Sequence, residues 1–246
     1  TAAAIGEGGL ADDVDAWVTS TAWLEVVRSR SPEALGEATA LATSTAVVAT
    51  APGRFEAISD LCDGDDVWAC LGGVAGDDWG DLGGGLHPEW RELKVGLTDP
   101  DTAVGLGGLA SAASGFFGST SFAANDPAFG DFESWLANLA RPSAAGDPNP
   151  AETLATRPGT YSAAGSVEAL AAAYEARGVE AIRPDTEVRV TAVIIAIGDG
   201  EAPSVDPVRD ALVTEGWARA SEDDLAPTLK PGVMAALHTL WRAVTR

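Results

Sequence analysis

The stretch from Trp90 to Gly118 restricts the fold more than any other part of the chain. Leu93, Val95 and Leu97 alternate, which is the signature of a strand. Asp99-Pro100 ends it, because proline has no N–H for a ladder and restricts the residue before it. Leu106, Leu109, Ala110, Ala113 and Phe117 then recur at helical spacing. Thr102, Ala103, Val104 and Gly105 fall in the first turn of that helix, where backbone donors lack intrahelical partners and the dipole is positive. Such a turn suits an anion or a polar oxygen without any cationic side chain. Thr102 or water can equally satisfy those donors, which leaves an ordinary strand–helix junction.

The rest of the chain continues the alternation. Thr1 to Leu10 reads as the tail of a helix or a loop, Val14 to Val18 as a strand, and Thr19-Ser20-Thr21 as a polar loop. Trp23 to Arg30 is predicted helical with Trp23, Val26 and Val27 on one face, and Thr43 to Ala49 is predicted as a strand. Asp60 to Gly85 is rich in Gly and Asp and reads as irregular. Asp131 to Leu139 is predicted helical with Phe132, Trp135, Leu136 and Leu139 inward, and Arg141 to Pro150 is the clearest loop. A helix is expected over Val167 to Arg177, stopped by Gly178. Val190 to Ile197 is nearly continuous β-branched apolar sequence, as in a strand buried on both faces. Asp206-Pro207 reads as an N-cap followed by the first helical residue, and Pro231 to Val244 is amphipathic. Strands alternating with helices give an α/β class.

Charge narrows the partners. The chain carries 37 acidic against 15 basic residues, a net charge of −22, which repels nucleic acid and anionic membranes. No apolar run approaches the ~20 residues that span a bilayer, and the chain has no signal peptide and no initial Met, so it reads as a mature or excised piece. Cys62 and Cys70 bracket a short acidic loop, read either as a disulfide of an oxidising compartment or as two buried thiols. Asp63, Asp65, Asp66, Asp77, Asp78 and Asp81 read as a solvated acidic loop; a calcium site is the alternative, though the spacing does not fit an EF-hand. His87 and His238 are the only histidines and lie far apart, so no metal centre or cofactor is expected. The chain shows no G-x-S-x-G elbow, P-loop, G-x-G-x-x-G or H-E-x-x-H, and catalysis is not expected.

GLTDP at Gly96–Pro100, followed by its small-residue helix, resembles the centre of a type 2 periplasmic-binding-protein (extracellular solute-binding) domain. It is most similar to the actinobacterial form that precedes a von Willebrand factor A domain. VDAWVTSTAW (Val14–Trp23), LATSTAVVAT (Leu41–Thr50), TYSAAGSVEA (Thr160–Ala169), RVTAVIIAI (Arg189–Ile197) and DPVRDALVTEGW (Asp206–Trp217) resemble further pieces of that family, in the family's order. The resemblance implies an α/β fold of two lobes, one formed by residues 1–46 and 193–246, the other by 47–192 with an insertion near 60–85. It also implies that the family's first strand, helix and second strand are missing. Its ligand contacts would be Ser20, Thr21, Ser44, Thr45, Thr102, Ala103, Val104 and Tyr161, four loops without Arg or Lys. The implied protein is extracellular or in the cell envelope, monomeric and non-catalytic. It would close over a small polar ligand, an anion or a sugar, and work with a membrane permease. The alternative it implies is a ligand-free interaction module acting with a von Willebrand factor A-type domain.

Overall fold

The computed structural model describes residues 16–30, 35–82, 87–126, 128–145, 147–197, 204–226 and 228–245. The elements expected over Thr1–Leu10 and at Val14 lie outside them. Strand β1 (Ala16–Ser20) runs directly into helix α1 (Thr21–Arg30). The expected loop at 19–21 therefore does not exist: Thr19 and Ser20 end the strand, Thr21 opens the helix, and all three are buried. Trp23, Val26 and Val27 face the core, as their spacing predicts.

Strand β2 (Leu35–Thr50) is far longer than the strand expected at 43–49. Its first half, GEATALA, has weak strand propensity and is held by its ladder instead. The span expected to be irregular holds the end of α2 (Phe55–Leu61), then α3 (Val67–Val74) and α4 (Trp79–Leu82). Its acidic residues cap rather than float. Asp66 is the N-cap of α3, accepting from the N–H of Trp68 at 2.8 Å and of Thr186 at 3.2 Å. Cys62 and Cys70 form a disulfide that ties the end of α2 to α3.

A 3₁₀ turn at Pro88–Trp90 leads to the two-residue strand β3 (Val95–Gly96) and then to α5 (Ala103–Phe117), α6 (Phe129–Ala140) and α7 (Pro150–Thr156). The loop expected at 141–150 thus contains a 3₁₀ turn at Arg141–Ala145, and Pro150 opens α7 behind its N-cap Asn149. Strand β4 (Ala163–Val167) is followed by α8 (Glu168–Ala172), a 3₁₀ turn at Glu175–Arg177 and β5 (Glu180–Ile182). The single helix expected over 167–177 is therefore broken, and Val167 belongs to the strand. Strand β6 (Arg189–Ile197), α9 (Asp206–Thr214), β7 (Ala218–Arg219) and α10 (Pro231–Val244) complete the order. Asp206 is the first residue of α9 rather than its N-cap.

The strands follow the path β1-β6-β2-β4-β3, with β5 and β7 also on β2. β6 is antiparallel to both β1 and β2, while β3 is parallel to β4. One hydrophobic cluster joins the sheet to α1, α3, α5, α6 and α10, and Trp23, Trp68, Trp79 and Phe132 are its largest fully buried side chains. Trp68 closes its polar edge by donating its indole N–H to Ser111 Oγ at 3.0 Å.

Candidate functional site

β2 changes partners in its middle. Thr45 lies opposite Arg189 of β6, and the next residue, Ala46, lies opposite Val167 of β4. The Ala46 N–H donates to Val188 C=O at 2.8 Å, so the chain crosses back beside the same point. Thr43, Ser44 and Thr45 line a crevice here of about 880 Å³, counted out to its open mouth, with Glu168, Arg189 and Gly216. Ser44 Oγ accepts from the Ala169 N–H at 3.1 Å, which leaves its own O–H to donate.

A narrower, mostly apolar crevice adjoins on the other side of Arg189 and is lined by Ser20, Thr21, Gly107, Ala110, Val190 and Met234. Gly107 permits this close approach of α5 to β6, since a Cβ there would sit 2.3 Å from Val190 Cγ2. Ser20 is 1% exposed and its Oγ has no hydrogen-bond partner. An unsatisfied buried hydroxyl is costly, so the crevice presents a donor that a ligand or water would satisfy.

Arg189 borders both crevices. Its Nε donates to Glu187 at 2.8 Å and its Nη1 lies 3.7 Å from Asp224, with the side chain 59% exposed. Sequence reasoning missed this cation, because Arg189 stands directly before the Val190–Ile197 run read as a buried strand. The available signal was its place at the start of the strand that crosses back.

Thr102, Ala103 and Val104 are deployed differently. Thr102 is the N-cap of α5: its Oγ1 accepts from the Gly105 N–H at 3.0 Å and donates to Asp99 C=O at 2.8 Å. One first-turn donor is thus satisfied by the chain itself. Ala103 and Val104 are half-buried. The preceding loop is gripped from α1 and α10. The Trp23 indole N–H reaches Pro100 C=O at 2.9 Å and Thr102 C=O at 3.2 Å. Asp101 accepts from His238 Nε2 at 2.6 Å and from Arg242 Nη2 at 3.0 and 2.8 Å. Burial works to raise the Asp101 carboxyl, but the hydrogen bonds and charge of His238 and Arg242 outweigh it and hold the group below the usual carboxylate range.

That shift has a testable sign. A depressed carboxylate stabilises the fold above its unfolded pKa of about 3.9, and the contribution is lost as pH falls through the lower folded value. Urea melts of the wild type therefore lose more stability between pH 5 and pH 3 than melts of Asp101→Asn. Equal losses would show that the clamp does not carry this share of the acid sensitivity.

Tyr161 is not brought to either crevice. Val167 pairs near the partner switch while Ala163 pairs with Thr50, so Tyr161 lies beyond the opposite end of β4, roughly 20 Å away along the strand. Burial, then the Asp147 carboxylate beside it, push its phenol up. Arg54 Nη1 donates to the Tyr161 carbonyl at 3.1 Å and to Ser162 Oγ at 2.8 Å, a packing role. Glu168, at the other end of β4, occupies the crevice instead. Among the described residues no group of three or more His, Cys, Asp or Glu side chains is placed to hold a metal ion.

No protein-family model matches the chain, and no curated protein is significantly similar to it. Solved structures do match. Iron-bound HitA from Pseudomonas aeruginosa aligns over 99% of this chain and 86% of its own, with 14% identity and a TM-score of 0.57. The structure described as the Atu4243-GABA receptor aligns over 99% of this chain and 84% of its own, with 12% identity and a TM-score of 0.54. The periplasmic binding protein AfuA from Actinobacillus pleuropneumoniae, with fructose-6-phosphate bound, aligns over 99% and 71%, with 13% identity and a TM-score of 0.52. The chain has the two-lobed α/β fold of the periplasmic binding proteins.

Proposed function

We propose that this is an extracytoplasmic, non-catalytic solute-binding protein whose two lobes close over a small polar ligand bearing an anionic group, an oxyanion or a carboxylate. The lobes are residues 1–46 with 193–246, and residues 47–192, so that the two crossings fall within β2 and within β6. The observation that carries the reading is the cluster at the partner switch of β2. Ser20 and Ser44 each keep an O–H to donate, Thr21 and Thr45 stand beside them, and Arg189 lies between the two crevices. Hydroxyl donors and one cation among the residues lining two adjoining crevices, beside the carboxylate of Glu168, suit an acceptor-rich ligand. The Arg189–Glu187 pair is exposed and therefore cheap to exchange for a ligand. Fructose-6-phosphate in AfuA shows that a neighbour of this fold takes an anionic ligand. The disulfide suits an oxidising compartment, and a membrane permease is the partner such a role requires.

Thermal unfolding against sulfate, molybdate, phosphate, a sugar phosphate, amino acids and neutral sugars tests this directly. A true ligand at ~100 times its Kd stabilises the protein by about 2.7 kcal/mol. Arg189→Ala then weakens its binding by about ten- to a hundredfold, the value of a hydrogen bond to a charged group. Silence from every compound with a folded protein would sink the reading.

One observation favours a second reading, an interaction module acting with a von Willebrand factor A-type domain. α10 packs on α1 and also on α5 and α6, so the core is continuous across the lobes and resists hinge motion. Direct binding of such a domain, without any small-ligand shift, would establish it.

A further inference from the structure

We infer that the contacts of Asp101 with His238 and Arg242 form a lock that controls access to the Ser20 crevice; this rests on the ligand-binding reading above. The crevice is walled by three helices: Thr21 and Ala22 come from α1, Gly107 and Ala110 from α5, and Met234 from α10. The same three helices are tied together at the loop leading into α5. Trp23 of α1 holds the carbonyls of Pro100 and Thr102, and His238 and Arg242 of α10 hold the Asp101 carboxylate. The Trp23 and His238 rings meet edge to face with centroids 4.8 Å apart, joining the two grips into one. His238 lies one helical turn beyond Met234, so a shift of α10 at the lock moves the crevice wall.

The three helices also share one buried apolar cluster, to which α1 gives Val26 and Val27, α5 gives Leu106 and Leu109, and α10 gives Leu237 and Trp241. Hydrogen bonds to one carboxylate are directional and add a register constraint to that apolar contact. The Asp101–Arg242 half of the lock is releasable, whereas the His238 side chain is 5% exposed. Asp101 and Arg242 are 44% and 43% exposed, the regime in which an ion pair is weak and open to water. The crevice that these helices wall contains the unpartnered Ser20 hydroxyl, which gains a partner once the wall loosens. The lock thus holds the crevice shut without ligand, and its release is the opening step.

Thiol labelling reads this opening without any ligand. Both native cysteines are in the disulfide, so Ser20→Cys supplies the one free thiol. With the lock intact, iodoacetamide modifies that thiol far more slowly than it does the unfolded chain. Adding Asp101→Asn raises the rate at least tenfold, equivalent to about 1.4 kcal/mol of opening. Arg242→Ala, at an exposed position, does the same and replaces Asp101→Asn if that variant fails to fold by circular dichroism. Thr21→Cys serves as the reporter if Ser20→Cys does not fold. Unchanged rates in folded lock variants would overturn the inference, as would fast labelling with the lock intact. Failure of the ligand reading would register separately, in the thermal shifts and not in these rates.

Discussion

Trp23→Ala is expected to destabilise the protein by about 3–5 kcal/mol, the cost of removing a large aromatic side chain from a packed core. Trp23 is 2% exposed and lies where α1, α10 and the loop before α5 meet. Its loss opens a cavity, leaves the Pro100 carbonyl without its donor and removes the ring that packs on His238. For a chain of this length the midpoint of thermal unfolding falls by roughly 6–20 °C. Trp23→Phe separates the two contributions. It keeps most of the ring and forfeits the N–H, so its cost is about 1–3 kcal/mol, the penalty for an unsatisfied buried carbonyl. Urea melts of the two variants check the ordering, and a Phe variant as damaged as the Ala variant would show that the hydrogen bonds, not the packing, matter most.

The second large effect reverses an ordinary rule. Alanine in place of glycine inside a helix usually stabilises by about 0.5–1 kcal/mol. At Gly105 the added Cβ would lie 2.0 Å from Asp99 C=O oxygen and 2.7 Å from that of Thr98, both backbone atoms that cannot swing aside. Gly105→Ala is therefore expected to cost about 3 kcal/mol, at the upper end of overpacking. It also pulls the Gly105 N–H away from the Thr102 cap. Gly108→Ala, one turn along the same helix, meets nothing within 4 Å and should follow the ordinary rule with a small gain in stability. Opposite signs at the two positions, read from chemical melts, would confirm that the loop before α5 is wedged against the helix. Equal signs would refute it.

Strong local patterns translated into structure faithfully. The spacing of Trp23, Val26 and Val27 specified a buried helix face, and the Thr102 position marked the start of α5, because capping and amphipathic periodicity are set within a few residues. Gly/Asp density misled at 60–85: the Asp66 N-cap and Val67, Trp68 and Leu71 build a buried helix there. A cap signal was present, but composition outweighed it. The first half of β2 was hidden for the opposite reason. Ala, Gly and Glu carry no strand pattern, and its ladder partners lie some 150 positions away at Ala192–Ile197.

The candidate site divides along the same line. Ser20, Thr21, Ser44 and Thr45 stood out in sequence as loop hydroxyls, whereas the structure puts Ser20 at the end of β1, Thr21 in α1 and Ser44 and Thr45 inside β2; the fold resembled was legible from the order of short motifs. Tertiary structure alone decided that Arg189 sits between them, that Glu168 rather than Tyr161 reaches the crevice, and that Asp101 meets His238 and Arg242. Helix spacing and caps are local, so sequence determined them. Which end of β4 meets the partner switch, and which carboxylate meets which cation, depend on register between strands and helices distant in the chain, and packing of the whole core sets that register.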